Sequence, residues 1–198
     1  MATLKMGSTT AITESSGVFT YAQPPGIIQV KTGTYTGHAT VSSDGSYTTG
    51  HLEFALTPIR ADSSFFFLAN CFFGLGNHDT FAEIGFVVSG ASPGGTVTPR
   101  GATGTGDQVF AVAGIGSFAG ASTTDDWAIC TTPAHFLWTP SSDLGVTTRT
   151  FSVGAARGGT GTDSIVWNRR WTDGQDARNA APVSVLTVFE INALAIAD

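Results

Sequence analysis

Residues 63–74 read SSFFFLANCFFG, and the way this stretch distributes its side chains decides the fold. Successive residues of an extended strand point to opposite faces. Phe65, Phe67, Ala69, Cys71 and Phe73 therefore take one side and Phe66, Leu68, Asn70 and Phe72 the other, so both sides are apolar. Residues 183–191, VSVLTVFEI, behave likewise, with Val183, Val185, Phe189 and Ile191 opposed by Leu186 and Val188. In residues 47–56, by contrast, Leu52, Phe54 and Leu56 oppose His51, Glu53 and Ala55, the pattern of a sheet with one wet side. A single sandwich buries one face of each sheet, so a strand that is apolar on both needs a second cover. The cover expected here is another copy of the chain. Phe65, Phe67, Phe72, Val185, Phe189 and Ile191 are the core or inter-chain positions this reading selects.

Outward from these segments the pattern repeats. No window sustains apolar residues at i, i+3, i+4 and i+7, whereas short runs rich in Val, Ile, Phe, Thr and Tyr recur between clusters of Gly, Ser, Asp and Pro. The further strands expected are 27–31, 34–41, 81–88, 108–115, 127–138, 148–153 and 164–171. Such a series in one domain points to an all-β, jelly-roll-like antiparallel β-sandwich over residues 27–192. Residues 1–26 lack strong strand signals and read as an N-terminal arm or attachment segment; residues 193–198 read as a tail. The stretches 89–107 and 154–163 are rich in Gly and Thr and read as loops.

Composition narrows the function classes. Charged residues make up 12 % of the 198, against about 25 % in an ordinary soluble protein. Gly, Ser and Thr supply more than a third of the chain instead, which makes a polar but mostly uncharged surface. Fourteen Phe and four Trp argue for a packed core rather than a solvated coil. The net charge of −6 disfavours sequence-independent nucleic-acid binding, which runs on Lys and Arg. The longest apolar runs stop far short of the roughly 20 residues of a membrane-spanning helix. The first residues show no secretory signal, so synthesis and folding in a cytosol are expected.

No constellation for chemistry stands out, and the expectation is no catalytic residue, no cofactor and no metal. The partial G-x-G-x-x-A at Gly114, Gly116 and Ala119 lacks a following helix, and GGTGTD at 158–163 lacks the Lys of a phosphate loop. His38, His51, His78 and His135 stand alone, and Asp173 and Asp176 read as a turn rather than a calcium loop. Cys71 and Cys130 sit in apolar contexts and read as small buried hydrophobes, with a bridge between them left open. Trp127, Trp138, Trp167 and Trp171 raise a sugar-binding or carbohydrate-active reading, set against the commoner fate of strand Trp, which is core packing. Glu190 stands in an otherwise apolar strand. Antiparallel pairing with the strand before it brings Arg169 near, and an Arg169–Glu190 ion pair is expected to satisfy the buried acid.

The order of PPGIIQV (24–30), HLEFALTP (51–58), SSFFFLANCFFG (63–74), FAEIGFVV (81–88) and VWNRRWTDGQDARNAAPVSVLTVFEI (166–191) resembles small virion proteins of tailed bacteriophages, of the marine and cyanobacterial kind, with a tail-fibre-like C-terminal β-domain. The most specific match is the last, where Asn168, Arg169, Asp173 or Asp176, Ser184, Thr187, Val188, Glu190 and Ile191 take the places of the family's closing motif. The resemblance is loose over residues 91–125. It implies a non-enzymatic structural protein of the virion, a homotrimer whose partners are its own copies, other virion proteins and a host-surface glycan or protein. A fibre knob for host attachment and a capsid decoration protein are the two versions it leaves open.

Overall fold

A computed structural model describes residues 2–6, 9–15, 18–21, 26–42, 47–75, 80–90, 113–116, 129–140, 143–158, 164–169 and 181–192. The strands are β1 (Ala2–Met6), β2 (Thr9–Ser15), β3 (Val18–Tyr21), β4 (Ile27–Tyr35), β5 (Thr40–Val41), β6 (Thr48–Leu56), β7 (Ser64–Leu75), β8 (Phe81–Ser89), β9 (Ala113–Gly116), β10 (Ile129–Trp138), β11 (Arg149–Gly158), β12 (Ile165–Trp167) and β13 (Ser184–Ile191). All pairings among them are antiparallel.

The twelve-residue β7 organises the larger sheet. β10 runs along one side of it from Phe65 to Gly74. On the other side β13 covers Ser64 to Asn70 and β12 covers Phe73 to Leu75, end to end, with β4 beyond β13 and β5 beyond β12. The order β4-β13-β7-β10 faces a second sheet of order β6-β11-β8-β9. The chain crosses between the two layers at most steps, from β5 to β6, β6 to β7, β7 to β8, β9 to β10, β10 to β11 and β11 to β12, the crossing pattern of a jelly-roll-like sandwich. The expected all-β sandwich is thus observed.

Between the layers lies an aromatic core. Phe67 stacks on Phe86 with centroids 4.7 Å apart, Phe65 meets Phe151 at 5.1 Å and Trp138 at 5.9 Å, and Phe73 meets Trp167 at 4.5 Å. Phe65, Phe67 and Phe73 are wholly buried, together with Leu186 and Val188 of β13. Of the positions read as core or inter-chain, Phe65 and Phe67 belong to this core; Phe72, Val185, Phe189 and Ile191 lie half-buried on the opposite face.

Three expectations are corrected. Residues 2–21 form the antiparallel meander β1-β2-β3 rather than a segment without strands. Few large apolar residues stand in these Thr- and Ser-rich segments, so no strong strand signal is visible in the sequence. Residues 154–158, read as loop, continue β11 opposite Gly85, Ile84, Glu83, Ala82 and Phe81 of β8. The small residues there answer to Tyr47, which lies across this sheet: a Cβ on Gly85 or on Gly154 would come within 2.6 Å of the tyrosine. Residues 27–31 and 34–35, read as parts of separate strands, belong to one strand. The tail 193–198, the loop 91–107 and the acids Asp173 and Asp176 lie outside the described residues.

Candidate assembly face

The two sheets differ in what covers their outer sides. On the second sheet the outward positions Val87, Ser152 and Ala156 are buried, with Tyr47 across Gly85 and Gly154, so the chain covers the middle of this face itself, while Glu53, Ala55 and Phe81 toward its margins are exposed. On the first sheet the outer side is open. The registers place Val30, Phe189, Phe66 and Leu137 in one row across β4-β13-β7-β10, and Thr32, Thr187, Leu68 and His135 in the next. A third row holds Thr34, Val185, Asn70 and Pro133, and Ile27 and Ile191 stand at the far end. Ile27 is 59 % exposed, Val30 52 %, Leu68 46 % and Leu137 44 %. Phe66 and Phe189 support each other at 6.0 Å, and His135 lies 6.4 Å from Phe66. No Lys, Arg, Asp or Glu stands in these rows.

Two polar hubs hold this sheet in shape. At one end the Glu190 carboxyl accepts hydrogen bonds from the Ile59 N–H at 2.8 Å, the Arg60 N–H at 3.1 Å, Ser63 Oγ at 2.6 Å and Gln29 Nε2 at 2.7 Å. The expected Arg169–Glu190 pair is not formed. Trp167 lies opposite Phe73 and Glu190 opposite Phe65, eight residues away along β7. At a strand rise of about 3.3 Å per residue that is roughly 26 Å, too far for an Arg two residues past Trp167 to bridge. The neighbouring strand turned out to be a continuation rather than a partner. Backbone donors of the 57–63 segment satisfy the acid instead, which lifts the cost of burying it.

The second hub splices β12 to β13. Asn168, fully buried and at φ 56°, donates from Nδ2 to the carbonyls of Tyr35 at 2.7 Å and Gly37 at 3.1 Å. Ser184 Oγ donates to Asn168 Oδ1 at 2.6 Å and accepts the Phe72 N–H at 3.1 Å, while the Asn168 N–H reaches the Phe72 carbonyl at 2.9 Å. Asn tolerates the left-handed backbone that this turn needs. The closing motif of the resemblance thus has a structural role for Asn168, Ser184 and Glu190: they bind segments distant in sequence to β7 and β13.

Nothing in the arrangement assembles a reaction centre among the described residues. No group of three or more His, Cys, Asp or Glu gathers there as metal ligands. His51 packs with Tyr35 at 5.4 Å and with Trp167 at 6.4 Å. Trp138 and Trp167 both face the core, which takes them out of sugar stacking; Trp127 and Trp171 lie outside the described residues. Burial raises the carboxyl of Glu83 above its ordinary range.

Cys71 and Cys130 both carry thiols. They lie on the inner side of β7 and β10, where Cys71 faces Thr132 and Cys130 faces Phe73. Such diagonal neighbours sit about 7–8 Å apart, and a disulfide needs Cβ atoms within about 4.5 Å. Burial pushes the Cys71 thiol up to about 12. Native protein at pH 8 is expected to leave Cys71 unmodified by a soluble thiol reagent, with both cysteines titrating once denatured without reductant. In the unfolded chain Cys71 ionises near its ordinary value, so stability resting on the buried thiol is complete below about pH 9 and declines as pH rises toward 12. One thiol or none after denaturation contradicts the geometry.

No protein-family model and no curated protein matches this chain. Among solved structures, it is similar to chains of the infectious bursal disease virus Gt strain, at 14 % identity and a TM-score of 0.41 over 92 % of this chain and 42 % of that one. A chain of the T13 particle of the same virus gives 12 % identity and a TM-score of 0.40, over 92 % of this chain and 43 % of that one. The VP2 subviral particle of the virus gives 13 % and 0.37, over 92 % and 42 %. This chain spans about two fifths of the length of each. At these scores the likeness carries no inference about activity or assembly.

Proposed function

We propose that this protein is a non-enzymatic structural component of a virus particle, assembled as a homotrimer. The observation that carries the reading is the open, charge-free outer side of β4-β13-β7-β10, on a sandwich that covers the middle of its other outer side itself and carries the charged Glu53 there. The resemblance of residues 166–191 to phage virion proteins supports it from the sequence side. Jelly rolls also serve lectins and other functions, so the fold alone does not choose. In the first version the trimer is the knob of a fibre, and its Gly- and Thr-rich loops contact a host-surface glycan or protein with trimeric avidity. In the second it is a decoration protein on the capsid, with residues 1–26 reaching to neighbouring subunits.

Counting copies per particle by quantitative gel or cryo-EM separates them. Hundreds of copies support decoration. A few tens, together with competition between purified trimer and intact particles for host cells, support a fibre. Absence from purified particles overturns both.

A further inference from the structure

We infer that copies of this chain meet through the outer side of β4-β13-β7-β10, turned toward a shared axis, with the row Val30, Phe189, Phe66 and Leu137 and the adjoining Leu68 at the contact. This rests on the self-assembly proposed above and assigns it a surface. Three features point to a second copy as the occupant.

The first is charge. The chain carries −6, so two copies repel each other over most of their surfaces, and these rows hold no Lys, Arg, Asp or Glu. Copies approach most easily there. A partner chosen by charge complementarity has nothing on this face to read.

The second is that the sheet edges are occupied. Along the β4 edge, Lys31 Nζ donates to the Ala55 carbonyl at 2.5 Å and Gln29 Nε2 to the Thr57 carbonyl at 3.1 Å, which ties β4 to β6. In β10, Pro133 stands opposite Asn70 and removes a donor from the outer edge. These features disfavour growth by adding strands, so the apolar face is the surface left for association.

The third is area. β13 is eight residues long, about 26 Å, and four strands spaced about 4.8 Å apart cover some 19 Å, a footprint of roughly 500 Å². Three such faces around one axis present about 1,500 Å², above the roughly 1,000 Å² that a specific interface needs. Around a threefold axis each copy shares this face with its two neighbours, and the three apolar faces converge on one centre.

The test is sedimentation equilibrium of the full chain at micromolar concentration, with thermal melting as the check on folding. Wild type is expected to sediment as three chains of 20.4 kDa. Leu68→Asp is expected to sediment as a single folded chain, with self-association weakened at least tenfold. Val146→Asp, which alters a still more exposed apolar residue outside these rows, is expected to remain assembled. If Leu68→Asp fails to fold, Leu68→Ser provides the same readout. A folded Leu68 variant that stays assembled like wild type overturns the surface while self-assembly stands. A two-chain wild type that Leu68→Asp dissociates supports the surface and overturns the trimer. A single-chain wild type overturns both.

Discussion

Phe67→Ala is expected to lower the stability of the fold by about 3–5 kcal/mol. For a domain of this size that is a fall of roughly 8–15 °C in melting temperature. Phe67 is wholly buried at the centre of the sandwich, stacked on Phe86 at 4.7 Å and packed with Phe151 at 5.8 Å and Trp138 at 6.4 Å. Truncation removes a large apolar side chain from water-free packing and leaves a cavity between two sheets that their strand ladders hold apart. Phe67→Leu keeps much of the volume and is expected to cost roughly 1 kcal/mol, or a few degrees. Thermal and denaturant melts of the two variants check the placement. Equal melting of Phe67→Ala and wild type contradicts the assignment of this side of β7 to the core.

The second large effect belongs to Glu190. Its removal in Glu190→Ala leaves the Ile59 and Arg60 N–H groups and Ser63 Oγ without their acceptor and Gln29 Nε2 with the Thr57 carbonyl alone. Buried donors left unpaired cost about 1–3 kcal/mol each when no water replaces the partner. With partial relaxation of the 57–63 segment a net loss of about 3–5 kcal/mol is expected, the range for breaking a buried polar network. Glu190→Gln keeps one oxygen as acceptor but turns an NH₂ toward the other donors, so it is expected to recover only part of the loss. Hydrogen exchange gives the local readout: the amides of Ile59 and Arg60 should lose protection in Glu190→Ala before the β8–β11 ladder does. Unchanged protection at those two amides would falsify the role assigned to this carboxyl. Arg169→Ala, in contrast, is not expected to mimic Glu190→Ala, because Arg169 takes no part in the Glu190 hydrogen bonds.

These two residues mark how far local pattern reaches. The inward set of β7 was legible from residues 63–74 because alternation is a property of the backbone and needs no partner. The same alternation identified β13 as apolar on both sides and β6 as apolar on one, and burial along those strands follows it. Glu190 was recognisable as a buried acid in need of a partner. The partner itself was not legible, because the donors come from Ile59, Arg60 and Ser63, about 130 residues away, and two of them are backbone N–H groups that no side-chain pattern announces.

Small residues explain the other misreadings. Gly154 and Gly158 look like loop residues when propensity is all there is to judge by. In β11 Gly154 is required by Tyr47, whose Cβ an added Cβ would approach to 2.6 Å, while Gly158 lies beside the Glu83 carboxyl, whose flexible end could move aside. Asn168, likewise, gives no local sign that it sits at the join of two strands laid end to end.

By itself the sequence determined the all-β class, the sides each strong strand presents, the low surface charge and the need for a cover over two apolar faces. Each of these follows from residue identity and the two-residue period of a strand. Only the tertiary structure decided which strands are neighbours, that β12 continues β13 along β7 instead of pairing with it, and which outer face stays open. Strand partnership is set by contacts between residues far apart in the chain, and an open face is defined by what fails to pack on it. The double-faced strands therefore read as one signal in sequence but two in space: Phe67 and its set belong to the core, and Phe66, Leu68 and Phe189 belong to the surface.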